Sequence, residues 1–83
     1  MNYDNVDPSI LEKLRQEEEF SLLEKEHEGI EKWIVEMESK KYLTPEEEIE
    51  VKNYKKKKLL VKEVIIKMID QEKAWRKNSG GEI

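Results

Sequence analysis

Six residues, Phe20, Leu23, His27, Ile30, Ile34 and Met37, are spaced three and four apart in alternation, and so share one stripe of an α-helix. Val51, Tyr54, Lys58, Val61, Ile65 and Met68 repeat that spacing further along the chain. Between the two stripes stands Thr44-Pro45-Glu46-Glu47, a helix start in which Thr44 caps, Pro45 takes the first helical position and Glu47 closes a capping box. Two matching seams joined by a short turn predict an all-α fold, a two-helix antiparallel coiled-coil hairpin.

The expected order is a disordered N-terminus over 1–6, a helical hairpin over 7–77 and a loose tail over 78–83. Within the hairpin, the first helix runs over about 8–40, the turn over 41–44 and the second helix over about 45–77. Asp7-Pro8 opens the first helix and Asn78-Ser79-Gly80-Gly81 closes the second. Facing positions then bring Met37 to Val51, Ile34 to Tyr54, Ile30 to Lys58, His27 to Val61, Leu23 to Ile65 and Phe20 to Met68. Beside the seam, Glu26 falls opposite Lys62, and Glu31 opposite Lys57. Before Phe20 the pattern changes: Ile10, Leu11 and Leu14 are apolar, but the seam extended backwards meets Gln16 and Lys13. This predicts a stutter in the packing or a separate apolar end for another chain.

A stripe is a narrow core, and the composition provides for little more, with 43% charged and 36% hydrophobic residues. Charge is divided along the chain. Residues 1–40 hold 12 acids and 5 bases (net −7), and residues 41–83 hold 8 acids and 11 bases (net +3). Antiparallel pairing sets these halves against each other. There are no cysteines, so disulfides, thiolate metal sites and thiol catalysis are excluded. No apolar run exceeds three residues, against the roughly 20 that span a bilayer, and MNYDNVDPSI lacks the pattern of a secretory signal. The reading is a cytoplasmic protein.

The second helix carries more apolar side chains than one partner helix can cover. Leu59, Val64, Ile66 and Ile69 lie off the seam, and Leu60 adds to a wide apolar arc. They are the candidate interface, through which a homodimer would form a four-helix bundle or an unidentified protein partner would dock. Glu26, His27, Lys58 and Lys62 are the polar residues that set register.

The seams also carry a family resemblance. Phe20, Leu23, Glu26, His27 and Ile30 fit F-x-x-L-x-x-E-H-x-x-[LI], and residues 54–65 follow L-K-K-x-K-L-x-L-K-[DE]-E-I. The chain thus resembles the YdcH-like family, small bacterial helical-hairpin proteins grouped as a domain of unknown function, over about residues 16–70. It departs at Tyr54 and Val61, where the pattern has Leu, and at Val64, where it has Glu. The resemblance implies a fold and no enzymatic activity.

Chemistry is sparse. His27 with Glu24 forms a Glu-x-x-His element, but the second helix offers no further histidine or inward carboxylate to complete a metal site. The expected role of His27 is a seam residue bonded to a neighbouring carboxylate, with Glu26 and Lys62 around it. No phosphate loop, nucleophile elbow or metalloprotease motif occurs. The chain therefore reads as a non-enzymatic structural or protein-interaction module with no cofactor and no metal, and neither nucleic acid nor membrane is its expected partner. The alternative, from another class, is an accessory protein that binds nucleic acid or another anion through the basic stripe from Lys52 to Lys62.

Overall fold

The computed structural model describes residues 3–81, with side chains to Lys77. Its elements are α1 (Pro8–Arg15), α2 (Glu18–Glu38) and α3 (Pro45–Gly81). The described residues thus form three helices where the two seams predict two. A single extended residue, Glu17 (φ −84°, ψ 127°), divides the expected first helix. Its cause lies in the stripe. At about 100° per residue, a continuous helix would turn Leu14 roughly 120° and Leu11 roughly 180° away from Phe20. Breaking at Glu17 re-aims the short helix, and Ile10, Leu11 and Leu14 are buried in one core with Phe20, Ile65 and Ile69. The stutter thus packs within this chain.

α2 and α3 run in opposite directions, as their cross-links show. Lys40 meets Glu47 next to the turn, Trp33 packs on Tyr54 in a tilted ring contact, and Lys57 meets Glu26. α1 extends the same order, with Lys13 on Glu72 and Ser9 on Arg76. The molecule is a rod of 60 × 22 × 17 Å. Each helix start has a local cause. Asp7 accepts from the Ser9 N–H and hydroxyl to cap α1. At α3 the Thr44 N–H donates to Glu47 Oε1 (3.0 Å), and the Glu47 N–H donates to Thr44 Oγ1 (3.1 Å). Lys40 also donates to Glu47; this bond, with those to Thr44, holds the carboxyl down at about 2.

Both ends of the chain differ from expectation. Within residues 3–6, Tyr3 and Val6 are half-buried against the core, and the Tyr3 hydroxyl donates to Glu24, while Asp4 and Asn5 are exposed. α3 continues to Gly81, through the segment expected to end it. Glycine lowers helix stability by about 1 kcal/mol per residue relative to alanine, but does not forbid the helical conformation. Residues 1–2 and 82–83 of the expected loose ends lie outside the described residues. Gly29 sits on an exposed part of α2, and a Cβ there would meet nothing within 4 Å, so no contact within the chain requires glycine.

Candidate functional site: the exposed flanks of α3

Helix periodicity sorts the seam from the surface. Phe20, His27, Ile30, Ile34, Met37, Val51, Val61 and Ile65 are buried, while Leu23, Tyr54, Lys58 and Met68 are half-buried. Phe20 and Ile65, at the junction of all three helices, are wholly enclosed.

The four expected interface residues do not form one surface. Ile69 is only 4% exposed because α1 folds over it, and it belongs to the core. Leu59 (55% exposed) and Ile66 (39%) remain open on one flank of α3. Val64 is also exposed, but lies two residues from Ile66 and therefore points about 160° away from it around the helix. It shares the opposite flank with Leu60, and further along with Ile49 and Trp75, all exposed. Ile49 belongs to neither seam, so the seam spacing does not mark it. The signal that finds it is the spacing of 11 residues between Ile49 and Leu60, repeated between Val64 and Trp75.

The register-setting residues meet other partners than expected. Lys57 pairs with Glu26 at 3.2 Å rather than with Glu31. Glu31 instead approaches His27, its carboxylate 3.8 Å from Nδ1. A long lysine side chain reaches across more than one turn, so facing backbone positions do not by themselves choose the carboxylate. Burial lowers the pKa of the His27 imidazole. Glu31 opposes this shift, and the positive Lys58 and Lys62 add to it.

Glu24 is engaged elsewhere. Arg15 grips it in a two-pronged pair (3.0 and 3.1 Å) and Tyr3 donates at 2.8 Å, which ties the N-terminal segment and α1 to α2. Burial raises the Glu24 pKa, yet the bonds from Arg15 and Tyr3 outweigh it and hold the carboxyl below its usual range. The Tyr3 phenol is pushed up, first by burial and then by Glu24. An open groove of about 640 Å³ borders this network, lined by Glu24, His27, Glu28 and Glu31 among others. Among the described residues, no group of three or more His, Cys, Asp or Glu is arranged to hold a metal ion.

The basic stripe is partly neutralised. Lys55 pairs with Glu38 and Lys57 with Glu26, both at 3.2 Å, while Lys58 is half-buried beside His27. Among the described residues, no helix is long and apolar enough to cross a membrane.

No protein-family model, curated protein or solved structure matches this chain. The likeness to the YdcH-like family rests on the two motifs alone.

Proposed function

We propose that this protein is a non-enzymatic helix-packing module, cytoplasmic and YdcH-like in kind, which acts by self-association through the apolar residues that α3 leaves outside the monomer core. The carrying observation is that Leu59, Leu60, Val64 and Ile66 stay exposed although the core of the rod is complete. Four large apolar side chains within eight residues of one helix are more than scattered surface residues, and a second helix laid along either flank removes that flank's pair, Leu59 with Ile66 or Leu60 with Val64, from water. Side-by-side pairing of α2 and α3 from two copies into a four-helix bundle satisfies this demand with the elements already present. The anion-binding alternative is weaker, because Lys55 and Lys57 are engaged by Glu38 and Glu26.

Light scattering during gel filtration tests the proposal. The wild-type chain should elute with the mass of a dimer. The variant Leu59→Glu/Leu60→Glu/Val64→Glu/Ile66→Glu should be monomeric with unchanged helical circular dichroism. A variant that keeps the wild-type mass would remove these residues from the interface.

A further inference from the structure

The exposed flank of α3 that carries Val64 has an internal symmetry. Ile49, Asn53, Leu60, Val64, Gln71 and Trp75 are spaced 4, 7, 4, 7 and 4 apart. All six are exposed, and at about 100° per residue they fall within an arc of roughly 80°. The order of residue types is the same from either end: apolar, amide, apolar, apolar, amide, apolar. Its centre is Lys62, with Leu60 and Val64 two residues to either side, Asn53 and Gln71 nine, and Ile49 and Trp75 thirteen.

A two-fold interface requires such a surface, since residue i of one copy meets j of the other while j meets i. We infer that α3 packs antiparallel against α3 of a second copy through this flank, with Leu60 on Val64, Asn53 on Gln71 and Ile49 on Trp75. Each contact occurs twice. The apolar pairs remove side chains that are 62%, 41%, 59% and 60% exposed for Leu60, Val64, Ile49 and Trp75. The amide pairs can donate and accept in both directions, so neither polar group is left unmatched. Trp75 supplies a large aromatic side chain at each end of the contact, and Lys13 lies over its ring at 4.8 Å. Lys57 and Lys67 are the like-charged pair that this register brings together on the flank, since Lys62, which faces its own copy at the centre, points about 180° away from it. Lys57 already carries the carboxylate of Glu26 beside it at 3.2 Å, which offsets the repulsion. The contact follows the flank for about 39 Å, along most of the rod.

The inference rests on the self-association proposed above and specifies its flank and register. The absence of native cysteine permits a direct test with a short bismaleimide. Asn53→Cys/Gln71→Cys, both at exposed polar positions, should give a high yield of covalent dimer. Each single variant should give little, because identical positions would lie about 27 Å apart along the axis. Efficient cross-linking of Asn53→Cys alone would overturn the antiparallel register. Cross-linking of Lys55→Cys/Asp70→Cys in place of Asn53→Cys/Gln71→Cys would move the contact to the Leu59 flank, overturning this inference while leaving self-association intact. A chain that sediments as a monomer at every concentration would remove the underlying proposal itself. As a second readout, Leu60→Glu/Val64→Glu should weaken dimerisation by at least about tenfold, by setting acids against each other at the two-fold centre.

Discussion

His27 shows how one seam residue can couple stability to pH. Its imidazole is buried between α2 and α3, with Glu31 at 3.8 Å and the positive Lys58 and Lys62 nearby. Burial leads in lowering its pKa below the ordinary 6.5. The unfolded chain therefore takes up a proton that the folded chain resists. The stabilisation is full above pH 6.5 and is lost as the pH falls through the lower folded value. Thermal melts followed by circular dichroism should show the wild-type Tm declining between about pH 7 and pH 5, and His27→Gln should flatten that decline. Parallel curves for the two proteins would contradict this role. The seam position of His27 was legible from its spacing. Its carboxylate neighbour was not, because Glu26 and Glu31 both flank the seam and only the reach of Lys57 separates them.

At the level of elements, the informative feature is the break at Glu17. The sequence shows that Leu14 cannot share a continuous helical stripe with Phe20, and this mismatch was visible as a stutter. Where the displaced stripe goes was not visible, since the answer depends on a contact with Ile69, more than fifty residues away. The same distance hid the burial of Ile69 and the docking of Tyr3 on Glu24. Capping signals fared differently because they are local: Thr44, Pro45 and Glu47 carry their whole explanation within four residues. If α1 is an integral part of the core, removing its most buried side chain has a full core cost. Leu14 is 3% exposed, and Leu14→Ala should destabilise the protein by about 2–5 kcal/mol in urea unfolding. A change below about 1 kcal/mol would mean that α1 contributes little to the folded rod.

For the whole molecule, a rod only 17–22 Å thick has a core one stripe wide. Such a shape leaves two flanks of α3 facing outward whatever the monomer does, and Leu59 and Ile66 occupy one while Leu60 and Val64 occupy the other. Grouping Val64 with Ile66 treats a wide arc as one face, although two residues on a helix are separated by about 160°. Composition and seams reveal the all-helical class and the surplus of apolar side chains. They do not reveal which flank the proposed self-association covers, because that depends on a second molecule. Antiparallel pairing of acidic and basic halves satisfies many charges within the monomer, which makes apolar contacts the main basis of the proposed association. Sedimentation equilibrium of the unmodified chain, from low micromolar to millimolar concentration, tests this most directly. A monomer–dimer equilibrium that saturates at twice the chain mass is expected. A single monomeric mass across the whole range would contradict it.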